Sequence, residues 1–226
     1  MKRWSFWAAI GVMLAVQGAA RTLGDAAAVG ITLVGTLALI LIARRDDVTF
    51  ADLGLAGREH TMRGLRWAAL ALALVGVFYT ALLLSPASNA LMDDRTPESW
   101  SRVLAETLVV IPIQTVLWEE VAFRGVLWAI VRRDHGWQVA TIVTSVLFGF
   151  WHVVPATSFA ASNEAVTSTL GSGALAATVV VVGTVLFTGL AGALLCELRR
   201  RSGSLLAPMG AHWSTNSLGL LASYLA

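Results

Sequence analysis

Charged side chains are scarce in this sequence: they make up 13% of its 226 residues, against about 25% in an average soluble domain. Cysteine is almost absent, because Cys196 is the only one. A lone cysteine excludes an intrachain disulfide and a structural zinc site built on several thiolates. The formal net charge of +2 is too small to indicate a nucleic-acid partner.

Hydrophobic residues, by contrast, make up 57% of the chain and fall into long runs. A helical run of about 20 residues, at about 1.5 Å per residue, crosses a hydrocarbon core of about 30 Å. The sequence therefore predicts an all-α, polytopic transmembrane helical bundle that leaves no room for a separate soluble domain. About seven spans are expected, at residues 4–20, 26–43, 65–84, 101–133, 137–154, 174–198 and 204–225.

Basic residues lie mostly on one side of these predicted spans. With the amino terminus inside, twelve of the sixteen Lys and Arg residues fall in cytoplasmic segments and three in external ones. This bias predicts an integral protein of a bacterial cytoplasmic membrane, with the amino terminus cytoplasmic and the carboxyl terminus outside. Residues 1–20 could instead be a signal peptide, but a second apolar run follows so closely that an uncleaved first helix is preferred.

The segments between the spans carry most of the remaining polar residues. Three of them are predicted to be irregular and exposed, at residues 44–63, 88–101 and 156–173. Pro155 is expected to stop the fifth span. The fourth span, 101–133, would measure about 48 Å as a straight helix, which exceeds the hydrocarbon thickness. It is expected to tilt, to kink at Pro112, or to begin on the membrane surface.

Two acids and an arginine interrupt the fourth span, where the flanking sequence is apolar on both sides: Glu119, Glu120 and Arg124. An ionised group at membrane depth costs about 2.5 to 3.5 kcal/mol, so these residues indicate a functional site. On a helix, Glu120 and Arg124 share a face and are expected to form an ion pair, which leaves Glu119 free. A buried ion pair that only holds helices together is the simpler alternative.

Two further pairs of residues lie four apart in later spans: Phe148 with His152, and His212 with Asn216. That spacing places each pair on one helix face. Taken singly, a histidine in a membrane helix is more often a packing residue, and an asparagine often joins two helices. Counted along their spans, however, these groups and Glu119 come to similar depths, so they are predicted to meet in one cluster.

Together these motifs resemble those of the CAAX protease and bacteriocin-processing family, also called the Abi family, of intramembrane endopeptidases. The family signatures are Glu-Glu-x-x-x-Arg, Phe-x-x-x-His and His-x-x-x-Asn, in that order, each on a membrane helix. The chain matches them at 119–124, 148–152 and 212–216, with no departure at the defining positions. The resemblance covers about 101–226, which is expected to be the catalytic core. It follows a three-span region at 1–100 within one continuous membrane domain.

The resemblance implies hydrolysis of a peptide bond by a glutamate-activated water. Glu119 and His152 would then activate the water, and His212 and Asn216 would stabilise the oxyanion. The residues expected to hold the site in shape are Glu120, Arg124 and Phe148. No cofactor is predicted. Zinc stays an alternative, because Glu and His can ligate it, although the His-Glu-x-x-His arrangement of common zinc proteases is absent.

The implied partners are membrane lipid and a hydrophobic or lipidated peptide substrate, which could end in a Cys-a-a-X sequence. Two other functions stay open. A non-catalytic immunity or scaffold protein could keep the polar core for binding, and an ion-coupled transporter could use buried Glu and His residues as a relay. The lack of an internal repeat weakens the transporter alternative. No residue pattern specifies the oligomeric state.

Overall fold

The computed structural model describes residues 3–85, 99–162, 171 and 173–226. Regular structure in these ranges is helical throughout, which confirms the all-α prediction. The helices in chain order are α1 (Arg3–Ala20), α2 (Asp25–Arg45), α3 (Arg58–Leu83), α4 (Trp100–Ala105), a first π-helix (Glu106–Leu117), a second π-helix (Glu120–Leu127), α5 (Trp128–Trp151), α6 (Val153–Ser162), α7 (Ala174–Ser202) and α8 (Leu206–Leu225).

Four stretches of the described chain are long and apolar enough to cross a membrane. They are Asp25–Arg45, Arg58–Leu83, Trp100–Ala160 and Ala174–Ser202, and Trp4–Ala20 is a shorter apolar helix. Apolar helices of this length confirm an integral membrane protein. They do not establish the number of about seven spans, which stays a prediction.

The long stretch Trp100–Ala160 is divided at Gly136, where φ is 80° and ψ is 169°. A positive φ favours glycine because a side chain would clash with the backbone. The residues just before it are polar, Arg132, Arg133, Asp134 and His135. The predicted end of the fourth span and start of the fifth therefore lie on either side of a real break in the helix.

Part of the segment 46–57 packs against helix ends, so the prediction of an exposed loop is wrong for those residues, while about half of the segment is exposed. Its most buried residues are Asp46, Val48 and Leu53. The backbone N–H of Leu205 donates to the carbonyl of Gly54 at 2.9 Å. The buried Arg199 donates from Nη2 to the carbonyl of Asp52 at 2.8 Å. This part of the segment is held in place because its carbonyls satisfy donors at the end of α7 and the start of α8.

The opposite helix ends gather at a second face of the bundle. Arg102 Nη1 lies 2.5 Å from Asp25 Oδ2, and Gln114 Nε2 donates to the carbonyl of Asp25 at 3.2 Å. Trp100 and Tyr224 pack edge to face, with ring centroids 4.7 Å apart. Helix ends that gather at two opposite faces are what a bundle between two membrane surfaces requires.

In the fourth predicted span the helix is not broken at Pro112; instead, its winding changes. Two parts are wound as π-helices, in which backbone bonds reach five residues back, as from the Trp118 N–H to the carbonyl of Ile113. Pro112 lies inside the first π-helix. In an α-helix its ring would crowd the carbonyl four residues earlier, whereas here the backbone is wound more widely. Such winding is rare and frequently occurs at functional sites.

The helix break after the fifth predicted span falls at His152, with φ −90° and ψ 2°, rather than at Pro155. Pro155 lies in the first turn of α6, where a missing N–H costs nothing. The prediction of a loop from residue 156 is therefore wrong for its first part, since 156–162 are helical. Most of the rest of that loop, and residues 88–98 of the predicted turn before α4, lie outside the described residues.

The second π-helix is the centre of the fold, and all eight of its residues are buried. Its apolar side chains join a core with residues of α1 and α2, among them Met13, Val16, Leu39 and Ala43. α3, by contrast, has only one buried residue, Gly64. It lies closest to α8, where a Cβ at Gly210 would lie 2.8 Å from the Cα of Ala68. α3 touches α7 only slightly, so a cavity remains between them.

Candidate active site

Glu120 and Arg124 form an ion pair inside the second π-helix, as their spacing predicted. Glu120 Oε1 lies 3.0 Å from Arg124 Nη1, and both residues are 0% exposed. A charge buried alone at this depth would be costly, so each residue makes the burial of the other possible. The other groups of the site are arranged around this buried pair.

His212 of α8 lies between the two acids. Its Nδ1 is 2.8 Å from Glu120 Oε1, and its Nε2 is 3.9 Å from Glu119 Oε2. Because an ionised carboxylate can only accept, Nδ1 carries the proton in the contact with Glu120. Nε2 is then the ring atom that faces Glu119. The first and third sequence motifs, 92 residues apart, are therefore in direct contact.

Glu119 is held by a residue that the sequence prediction missed. Its Oε1 accepts a hydrogen bond from Trp151 Nε1 at 2.9 Å, so the expectation of a free carboxylate is wrong for this oxygen. Its other oxygen, Oε2, is buried and has no hydrogen-bond partner among the described residues. Trp151 precedes His152 directly, and this position inside the second motif is the only signal that the sequence offered.

His152 caps the end of α5, and its ring is fixed by its own helix. Its Nδ1 lies 2.8 Å from the carbonyl oxygen of Phe148. A carbonyl can only accept, so Nδ1 is the donor, and in the neutral ring Nε2 keeps a lone pair. The ring also packs edge to face on Phe148, with centroids 4.6 Å apart. The second motif thus presents a histidine nitrogen that can accept a proton.

Phe148 joins all three motifs by contact. The guanidinium carbon of Arg124 lies 3.9 Å from the centroid of its ring, which is a close cation–π contact. The same ring meets His212 edge to face, with centroids 6.0 Å apart, in addition to His152. Phe148 is 3% exposed. These contacts are a physical basis for the expected role of Phe148, which is to hold the site in shape.

Two glycines allow α5 and α7 to approach each other closely beside the Arg124 side chain. A Cβ at Gly192 of α7 would lie 3.2 Å from Arg124 Nη2, and one at Gly149 would lie 2.6 Å from the carbonyl oxygen of Val185. These glycines let α5 and α7 cross closely around the guanidinium. Small residues at such crossings are typical of membrane helices.

A cavity of about 480 Å³ lies between α3, α5, α7 and α8. Its polar lining residues are His152, Thr188, His212, Thr215 and Asn216. The rest of the lining is apolar and comes mainly from α3 and α7, including Trp67, Leu70, Leu74, Phe187 and Leu194. Glu119 does not line the cavity. Its Oε2 lies 3.9 Å from Nε2 of His212, and His212 does line the cavity. The cavity thus joins an apolar volume to the polar cluster.

No three His, Cys, Asp or Glu side chains of the described residues are arranged to hold a metal ion. Several of the acidic oxygens of the site make other contacts. Glu120 binds Arg124 and His212, and one oxygen of Glu119 accepts from Trp151.

Comparison with known proteins gives one match that spans this whole site. A family model described as type II CAAX prenyl endopeptidase Rce1-like matches residues 99–218, just over half of the chain. That range contains the three motifs and every residue of the polar cluster. No curated protein matches the chain, and no solved structure does. The match confirms the family predicted from the motifs, and the chain belongs to the Rce1-like type II CAAX prenyl endopeptidases, a family of membrane proteases.

Proposed function

We propose that this protein is an intramembrane endopeptidase that hydrolyses a peptide bond of a membrane-embedded or lipidated peptide with a water activated by Glu119. The observation that supports it most strongly is the convergence of Glu119, Glu120, Arg124 and His212 in direct contact, beside a cavity that His152 and Asn216 line. A structural ion pair alone would need neither the second acid nor a cavity.

Glu119 is the general base in this proposal because Oε2 is its one oxygen without a partner among the described residues. A water hydrogen-bonded to Oε2 and to Nε2 of His152 gives up a proton to Glu119. The oxygen of this water bonds to the scissile carbonyl carbon, and the π electrons of the carbonyl move to the carbonyl oxygen. When this tetrahedral intermediate collapses, the C–N bond breaks and the proton is passed to the leaving amine.

The oxyanion of the intermediate is stabilised by donors on α8. Asn216 offers a side-chain N–H at the cavity wall, one helical turn from His212. His212 can donate from Nε2 only when its ring carries two protons, since Nδ1–H is given to Glu120. A donor of this kind lowers the barrier by about 2.7 to 4 kcal/mol in other hydrolases. Glu120 and Arg124 hold His212 and Phe148 in place and do not react.

The lining of the cavity supports the proposed substrate class. Its lining is mostly apolar on the side of α3 and α7, which suits an acyl or prenyl chain or an apolar side chain. The polar groups stand at the other side, where a peptide bond would meet them. A lipidated carboxyl-terminal peptide of the Cys-a-a-X type fits both parts, and the family to which the chain belongs favours it.

The decisive experiment compares the wild-type protein with Glu119→Gln in proteoliposomes, with terminal-fragment mass spectrometry of membrane proteins to name the cleaved bonds. A matched control is Glu106→Gln, because Glu106 pairs with Arg102 at the far end of the same helical segment. We expect Glu119→Gln to lower cleavage by at least about 100-fold and the control to retain it.

Full cleavage by a folded Glu119→Gln protein would rule out the proposed mechanism. If neither protein cleaves any peptide and the substitution leaves the cellular phenotype intact, the polar core serves binding and the protease proposal fails. A liposome ion flux that depends on Glu119 would favour the transporter instead.

A further inference from the structure

We propose that Trp151 is a positioning residue of this reaction, whose indole N–H holds Oε1 of Glu119 so that Oε2 is the oxygen that receives the proton from water. The inference rests on the proposed function and adds a residue that is not one of the defining positions of the three family motifs. Trp151 touches neither the cavity nor the reacting atoms, and it acts only through Glu119.

The contact joins two elements that the sequence separates by 32 residues. Trp151 Nε1 lies 2.9 Å from Glu119 Oε1, and the indole also packs edge to face on Phe123 of the second π-helix, with centroids 5.8 Å apart. Trp151 is the last residue of α5, and His152 follows at the break. The end of one helix therefore supplies both the group that holds Glu119 and the proposed partner in water activation.

A glutamate carboxyl group needs such a restraint. The last torsion of its side chain is broad and nearly two-fold, so packing alone does not decide which oxygen points where. The indole N–H fixes Oε1, and the plane of the carboxylate then directs Oε2 towards His212 Nε2, 3.9 Å away. Oε2 is buried without a partner among the described residues, which is costly unless it meets a reactant. Trp151 thus fixes one oxygen and leaves the other for chemistry.

The alternative is that Trp151 only fills space against Phe123. The two roles separate cleanly if the N–H is removed while the shape is kept. Benzothienylalanine, incorporated at position 151, has sulfur in place of the indole N–H and nearly the same outline. The matched control is the same replacement at Trp128, whose Nε1 donates to Thr141 Oγ1 at 3.3 Å, away from the cluster.

We expect benzothienylalanine at 151 to lower kcat by roughly 10- to 100-fold, because a hydrogen bond to a charged group is lost. KM should be unchanged, because no contact with the cavity is lost. Trp151→Phe should lose at least as much. The control at 128 should retain its kcat within about two-fold. An isostere at 151 with wild-type kcat would overturn the inference and leave the proposed function untouched, because that function is judged by Glu119→Gln.

A second measurement tests the contact without activity. In protein labelled with ¹⁵N at the indole nitrogens, the Trp151 resonance is identified by its loss in Trp151→Phe. We expect Glu119→Gln to move this resonance and Glu106→Gln to leave it in place. A Trp151 indole resonance whose chemical shift is the same in Glu119→Gln as in the wild type would also overturn the inference.

Discussion

Gly192 of α7 faces the guanidinium of Arg124 so closely that an added side chain would have to push its neighbours aside. A Cβ on Gly192 would lie 3.2 Å from Arg124 Nη2, 3.2 Å from Phe148 Cδ1 and 3.3 Å from the Cα of Ser145. Since Arg124 in turn holds Glu120, and Glu120 holds His212, a displacement here would pass directly into the site.

Gly192→Ala should therefore reduce peptide cleavage by about tenfold or more and cost about 1 to 3 kcal/mol of stability, as overpacked cores do. The matched control is Gly183→Ala on the same helix, where nothing lies within 4 Å of the added Cβ. Cleavage rates and thermal unfolding in detergent measure the two effects. Equal behaviour of the two variants would show that the close contact does not position Arg124.

The buried ion pair predicts that the effect on stability of replacing one partner depends strongly on whether the other is present. Glu120→Gln or Arg124→Met alone leaves one charge buried without compensation and should cost about 3 to 5 kcal/mol. The double variant should lose clearly less than the sum of the two. The pair Glu59 and Arg63 has the same spacing but is exposed, so Glu59→Gln should leave unfolding unchanged. Additive losses at 120 and 124 would contradict the pairing.

The glycine contact between α3 and α8 predicts a second stability effect. A Cβ at Gly210 would lie 2.8 Å from the backbone Cα of Ala68, which cannot move without the whole of α3. Gly210→Ala should cost about 1 to 3 kcal/mol and loosen α3 from α8. At Gly76, on the same interface, an added Cβ would meet only Leu218 Cδ1 at 3.9 Å, so Gly76→Ala should be neutral or slightly stabilising. Disulfide cross-linking of paired cysteines and unfolding curves test this.

Asp52, in the packed segment 46–57, predicts a dependence of stability on pH. The hydrogen bond from the Thr49 hydroxyl, at 2.6 Å, holds the pKa of Asp52 below its ordinary value, although partial burial acts in the opposite direction. Because the folded-state pKa is lowered, the contribution is present at neutral pH and is lost as pH falls through that pKa. Asp52→Asn should destabilise at pH 7, and its difference from wild type should shrink as pH falls below the ordinary pKa of an aspartate towards the lowered folded-state pKa of Asp52. A pH-independent difference would refute this.

Local spacing allowed part of the site to be predicted from the sequence. The pairing of Glu120 with Arg124 holds because residues four apart remain neighbours even in the wider winding of a π-helix. The meeting of the acids with His212 was predicted from their similar depths along the spans, although depth alone does not reveal which helices touch. The roles of His152 and Asn216 in catalysis stay predictions.

Other features could not be read from residue types. The bond from Trp151 to Glu119 depends on how the end of α5 crosses the second π-helix, and a tryptophan in an apolar span usually indicates packing alone. The segment 46–57 contains several acids and was therefore expected in solvent. Part of it is packed because arginines such as Arg199 need its carbonyls, and that requirement arises only after the helices are assembled.

The π winding has a consequence for the tolerance of the chain to changes in length. Glu119, Glu120 and Arg124 lie within or beside backbone that takes up more residues per turn than an α-helix. Deleting a single residue from Glu106–Leu117 could be absorbed by tightening the coil, so the protein would still insert and fold. The acids, however, would rotate out of register with α5 and α8. Deletion of one residue from this apolar stretch should therefore strongly reduce activity while it leaves the expression level of the protein nearly unchanged.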